Sequence, residues 1–186
     1  MEKSSQKSIQ EKSLKLGEGV SANRDGKYLV LKGPKGEVKK SMESASVSFR
    51  IENNSVIFSV PTDNRNNRKM MNTFAAHAKN MHKGVTETHH YLLRICSGHF
   101  PMNVTVSKDD FVVKNYVGER VARSIKLPKG VDVKINGRDV TVDSTDKDLA
   151  GMVASNIEGL TKRANFDKRR FQDGIYIVIK DGKEVR

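Results

Sequence analysis

The sequence has no tryptophan, one cysteine, four prolines and no long apolar run. A lone Cys96 excludes a disulfide within the chain, as expected in a reducing cytoplasm. Its setting, Leu92-Leu93-Arg94-Ile95-Cys96, suits a buried and inert thiol. The strongest apolar run, Ile175 to Ile179, is far short of the roughly 20 residues that span a bilayer, so no membrane partner is expected. The first residues, MEKSSQKSIQEK, lack the apolar segment of a signal peptide, so the sequons at Asn53 and Asn103 carry no expectation of glycosylation. With 36% hydrophobic and 6% aromatic residues in a chain of 186, one or two small domains with modest cores are expected.

Several chemical signatures are missing as well. The stretch Lys32 to Glu37 has two glycines but no GxxxxGK[ST] pattern and no following helix start, so it reads as a hairpin exposing two lysines. The five histidines are 77, 82, 89, 90 and 99, and HExxH is absent. His77 and His82 are five apart on a helix, and the neighbours His89 and His90 point opposite ways on a strand, so no metal site is expected. A hydrolase using Cys96 and a histidine, or Asp143 with Asp146 and a metal, is the reading from another class. The thiol lacks the electropositive, accessible setting a thiolate needs. The aspartates are better explained by a helix N-terminus. No catalytic residue, cofactor or small-molecule substrate is expected.

Positive charge is what the chain has in excess. Lys plus Arg is 34 against 22 for Asp plus Glu, a net charge of +12. That balance suits a polyanion, nucleic acid before membrane, with a surface charged for solubility as the bland alternative. Residues 1–97 carry net +8 and residues 98–186 net +4. The second half sorts its charge. Asp143, Asp146 and Asp148 gather at a helix start, where they suit the macrodipole, whereas Lys162, Arg163, Lys168, Arg169 and Arg170 gather beyond its end.

Apolar periodicity repeats along the chain. Val131, Val133 and Ile135 alternate with polar residues, Asn136-Gly137 supplies a turn, and Val140 and Val142 return. Ser144 or Thr145 can then cap a helix whose apolar face is Leu149, Met152, Val153, Ile157 and Leu160. The same unit occurs 84 residues earlier: Val47, Phe49 and Ile51, a turn at Asn53-Asn54, then Val56 and Phe58, and a helix from Arg65 to Lys83 stopped by Gly84. Its stripe is Met71, Phe74, Ala75, Ala78 and Met81, opposite Arg65, Arg68, Lys69, Lys79 and Lys83. Tyr28 to Val38 matches Asp110 to Arg120 at an offset of 82, and Tyr91 to Cys96 pairs with the strand around Tyr176 to Lys180 as a closing strand after each helix. The expected fold is α+β: two tandem duplicated domains, each an antiparallel sheet structure packed on one main helix. Residues 1–97 form the first copy, with 1–15 a flexible tail, and residues 98–186 the second.

The segment after the second helix is the candidate site. Its Arg and Lys residues are interleaved with Asn165, Phe166, Phe171 and Gln172, a composition suited to phosphates and unpaired bases. Arg also grips phosphate with a planar fork, which Lys lacks. An ordinary solvated loop has the same composition.

KGPKGEV (Lys32 to Val38), NMHKGVT (Asn80 to Thr86), SGHFP (Ser97 to Pro101) and RRFQDGIYIV (Arg169 to Val178) together resemble one family in register. It is the universal large-subunit ribosomal protein family L-six (uL-six), in its archaeal and eukaryotic branch, with FQDGIYI most like the archaeal form. The resemblance covers nearly all of the chain from Gly17 onward. It implies a structural constituent of the large ribosomal subunit in the cytoplasm, binding large-subunit rRNA beside the elongation-factor site and the sarcin–ricin loop, mainly through the second domain. It also implies neighbouring ribosomal proteins as partners. RRFQDGIYI carries over Arg169, Arg170 and Gln172 as rRNA contacts; Lys162, Arg163 and Lys168 join them by charge and proximity. An RNA-binding module outside the ribosome is the alternative.

Overall fold

In the computed structural model, residues 10–17, 19–42, 44, 46–167 and 169–185 are described. The chain divides between Glu87 and Thr88 into two compact units, and every described sheet draws its strands from one side of that division. The architecture is α+β, with antiparallel sheets and two long helices.

The first unit holds β1 (Gln10–Lys15), β2 (Ser21–Asp25), β3 (Tyr28–Gly33), β4 (Gly36–Ser41), β5 (Ser48–Glu52), β6 (Ser55–Val60) and α1 (Arg65–Glu87). Its sheets run β1-β6-β5 and β2-β3-β4. Alternation drives the pairing: Val56, Phe58 and Val60 are buried while the residues between them are half-buried. Asn53 and Asn54 both adopt positive φ, 43° and 59°, which a two-residue hairpin turn favours. Residues 10–15, expected within a flexible tail, instead form β1. Leu14 lies opposite Val56 and Leu16 is buried, so two leucines anchor a segment that is otherwise polar. The rest of that expected tail, residues 1–9, lies outside the described residues.

Helix α1 buries Met71, Phe74, Ala75, Ala78 and Met81, as the spacing predicts. Gly84 does not stop it. The helix continues to Glu87 with Gly84 and Val85 buried, and Thr88 takes the left-handed conformation, φ 66°, at its end. Against that last turn lies the β3–β4 hairpin. A Cβ at Gly33 would sit 2.7 Å from the Val85 carbonyl oxygen, and the Lys35 N–H donates to that oxygen at 3.0 Å. Lys32 to Glu37 therefore covers a helix C-terminus, the end with negative partial charge, which is the wrong polarity for a phosphate cradle.

The second unit holds β7 (His89–Cys96), β8 (Asn103–Val106), β9 (Asp110–Lys114), a short 3-10 turn (Tyr116–Gly118), β10 (Arg123–Lys126), β11 (Val131–Asn136), β12 (Asp139–Ser144), α2 (Lys147–Leu160), β13 (Gly174–Lys180) and β14 (Lys183–Glu184). Its sheets run β10-β9-β8 and β11-β12-β7-β13-β14. The order β5-β6-β1 thus recurs as β11-β12-β7, and β2-β3-β4 as β8-β9-β10. The register recurs too: Val56 faces Leu14 and Val140 faces Leu93. Leu29 and Leu31 of β3, like Phe111 and Val113 of β9, are fully buried at the offset of 82.

This places β7 in the second unit, so the boundary expected near Ser97 moves to Glu87/Thr88. The physical reason is pairing: β7 follows α1 in sequence but bonds to β12 and β13. The Tyr91 to Cys96 strand and β13 are accordingly not equivalent closing strands. They are antiparallel neighbours, with Ile95 opposite Ile175, and β13 has no counterpart among the described strands of the first unit.

Two local expectations shift by a residue. Asn136 pairs with Asp139, so the β11–β12 turn is Gly137-Arg138, with Gly137 at φ 62°. Asp146, not Ser144 or Thr145, caps α2 by accepting the Asp148 N–H at 2.9 Å. The buried face of α2 is Ala150, Val153, Ala154 and Ile157, whereas Met152 is 48% exposed. Small residues explain the rotation: a Cβ at Gly151 would lie 3.2 Å from the Tyr91 hydroxyl, so the helix approaches the sheet closely there.

Candidate nucleic-acid interface

The chain between α2 and β13 leaves and re-enters the core at one neck. Thr161, just past α2, is buried, and its hydroxyl accepts the Ile175 N–H at 2.9 Å. The buried Tyr116 hydroxyl donates to the Thr161 carbonyl at 2.5 Å and reaches the Asp173 carbonyl at 3.4 Å. Arg123 donates to the Leu160 carbonyl at 2.7 Å, satisfying an orphan acceptor at the helix end. Its other nitrogens hold Glu119 through a paired contact at 2.7 and 2.8 Å, and this hydrogen bonding keeps the Glu119 carboxyl below its usual range.

On the β13 side, Asp173 is buried. One carboxylate oxygen accepts the Gly98 and His99 N–H groups at 2.6 and 3.0 Å, and the other meets His99 Nδ1 at 2.6 Å. Burial pushes this carboxyl up, but the donors from His99 and Gly98 outweigh it and hold it below the ordinary value. The segments SGHFP and RRFQDGIYIV, far apart in sequence, thus meet at one buried carboxylate.

Between these anchors Lys162, Arg163, Arg169, Arg170 and Gln172 are all exposed. The structure therefore brings five of the six expected contact residues onto one short loop; the sixth, Lys168, lies outside the described residues. Asp167 organises the turn, its carboxylate accepting the Arg169 N–H at 3.0 Å and its carbonyl accepting from Arg170 and Phe171. The Arg169 side chain stays 93% exposed, with Asp167 3.4 Å away. A pair so open contributes little to folding and leaves the guanidinium accessible.

Aromatic rings are interleaved with these charges. The Arg163 guanidinium lies 4.0 Å over the Phe166 ring, Phe166 meets Phe171 edge-on at 5.1 Å, and Phe171 packs against His99 at 5.1 Å with the rings tilted by 35°. Two clefts flank the loop. In one, Tyr116, Phe166, Phe171 and Tyr176 face Lys162 and Arg163. The other sets Arg170 and Gln172 beside Arg94 and Arg138. Sequence reasoning missed Arg94, Arg138, Tyr116 and His99 as parts of this region. Arg138 adjoins the Asn136-Gly137 signal and His99 lies in SGHFP, but their proximity to the loop follows from strand pairing alone.

The residues considered for catalysis are occupied otherwise. Asp146 caps α2, Asp143 pairs with His90 at 2.6 Å, and Cys96 is half-buried on β7. His89 is fully buried against Asp181 while its neighbour His90 is exposed, as strand alternation requires.

The family model for ribosomal protein L6 matches residues 16–88 and 100–184, once in each half. The chain belongs to the ribosomal protein L6 family. Among curated relatives, the large ribosomal subunit protein uL6 of Methanococcus vannielii is 38% identical over 164 residues, covering 88% of this chain and 90% of the relative. The uL6 proteins of Aeropyrum pernix and Sulfurisphaera tokodaii are 38% and 34% identical over 169 residues, each across 90% of this chain and over nine-tenths of the relative. All three are archaeal, and they carry the names of ribosomal proteins, not of enzymes. For this L6-family chain, each of the two family matches falls within one half of the repeat read from the sequence.

Proposed function

We propose that this chain is a structural constituent of the large ribosomal subunit in the cytoplasm, that it binds large-subunit rRNA through residues 162–172, and that it has no catalytic activity of its own. The observation that carries the reading is the loop itself: exposed Lys162, Arg163, Arg169, Arg170 and Gln172 on a segment held at its neck by Tyr116, Thr161 and Asp173. A loop fixed at both ends loses little conformational entropy on binding. Its charge offsets phosphate repulsion where RNA strands converge. Lys168 belongs to the same basic cluster in the sequence.

The two units are duplicated copies with divided labour. The second carries the main rRNA contact, and neighbouring ribosomal proteins complete the surroundings. The family resemblance of RRFQDGIYI supports a position beside the elongation-factor site and the sarcin–ricin loop. Sedimentation with large subunits in moderate salt tests the assignment, combined with crosslinking to RNA and mapping of the modified peptides. Crosslinked peptides from 161–173 are expected. A chain that stays in the supernatant, or crosslinks confined to the first unit, contradicts it.

A further inference from the structure

The cleft beside the basic loop has a different chemistry from the loop. Its walls are aromatic and come from three places: Tyr116 on the 3-10 turn, Phe166 and Phe171 on the loop, and Tyr176 on β13. Glu158 of α2 and Asp173 line it together with Lys162 and Arg163 of the exposed loop. The space is about 280 Å³, at the lower edge of small-ligand sites, which run from about 300 to 1,000 Å³.

These features discriminate between the parts of a nucleotide. A phosphate in this cleft would meet the negative charge of Glu158, which disfavours it there. Both Asp173 oxygens are already engaged by Gly98 and His99. Glu158 spends one oxygen on the Ile177 N–H at 3.2 Å, leaving the second to accept from an amino or ring N–H of a base. Aromatic faces, and an Arg guanidinium already stacked 4.0 Å over Phe166, are the platforms on which unpaired bases stack. Tyr176, 39% exposed, presents a further face.

We infer that this cleft receives one unpaired nucleobase of the bound RNA, with the flanking phosphates held outside it by Lys162 and Arg163. The inference rests on the RNA-binding reading above and adds to it: the loop supplies charge, and the cleft selects a nucleotide that is not base-paired. Stacking of this kind contributes about 5- to 150-fold in affinity per base, and it leaves the count of neutralised phosphates unchanged.

The test uses the full chain and deproteinised large-subunit rRNA, probed with reagents that modify base edges and with hydroxyl radicals that cut the backbone. The wild-type chain should shield an unpaired base within its backbone footprint. The double variant Phe166→Ala, Tyr176→Ala should keep the backbone footprint and the salt slope, expose that base to modification, and weaken binding about 5- to 150-fold. If the alanine variant loses its cooperative melt, Phe166→Leu with Tyr176→Leu keeps the volume without the rings and should give the same exposure. Identical base reactivity with wild-type and variant chains overturns the nucleobase site while leaving the loop reading intact. A wild-type chain with no backbone footprint overturns both.

Discussion

Helix α1 runs for 23 residues and its last turn is covered by the Lys32–Glu37 hairpin, whereas α2 stops after 14 and opens into the basic loop. The strand frameworks before the two helices follow the same order and register. What differs is the end of each helix. In the first unit the hairpin backbone presses on Val85 through Gly33, closing the helix terminus. In the second, the terminus is closed by Tyr116 and Arg123, and the described residues of the segment before β13, 162–167 and 169–172, lie outside the buried core. One framework thus serves packing in one unit and presents charge in the other. Net charge alone points to the other half from the proposed binding loop, since residues 1–97 carry the larger excess. Clustering on an anchored segment distinguishes the second.

The largest effects expected are in the two cores. Leu29 and Phe111 occupy matching, fully buried positions on β3 and β9. Leu29→Ala should cost about 2–5 kcal/mol and Phe111→Ala about 3–5 kcal/mol. In native-state hydrogen exchange, the first should lower protection within residues 10–87 and the second within 89–180. Loss of protection spread equally over both halves by either variant would break the picture of two separate copies.

A smaller effect is expected at the loop's neck. Tyr116→Phe removes a buried donor and leaves the Thr161 carbonyl without it, costing about 1–3 kcal/mol. Exchange in 162–172 should rise more than in β9. Unchanged loop exchange would mean that the neck does not hold the loop.

Smaller still is the acid-side contribution of Asp173. Its folded carboxyl titrates below the unfolded value of about 3.9. The stability it adds is therefore complete above that pH and lost as pH falls through the lower folded value. Replacing it, as Asp173→Asn, should flatten the acid limb of thermal melts. An acid limb identical to wild type would assign the loss to other carboxylates.

Much of this was legible in the sequence because hairpins are local. The alternation of Val56 and Phe58, the Asn53-Asn54 turn and the stripe from Met71 to Met81 all appear where the residue spacing puts them. What escaped was non-local. β7 follows α1 directly, yet its partners are β12 and β13, so its unit could not be read from sequence order. Gly84 reads as a helix stop, but it is buried within α1, which runs on to Glu87 under the hairpin packed on Val85. At the site, charge marked the loop, whereas the His99–Asp173 junction and the proximity of Arg94 and Arg138 depend on pairing between distant strands.

Under the proposed function, phosphate binding is concentrated on the second unit's loop. The most direct measurement is the slope of log affinity for large-subunit rRNA against log salt concentration. Changing Arg163, Lys168, Arg169 and Arg170 together to Ala should flatten it by roughly two to four units, at about 0.7 to 0.9 per phosphate. The melting temperature should hardly move, because exposed charges contribute little to folding. Lys32→Glu with Lys35→Glu, on the hairpin that covers α1, should weaken affinity less than Arg169→Glu with Arg170→Glu. An unchanged slope in the fourfold variant, or an equal loss from the hairpin pair, would contradict the account.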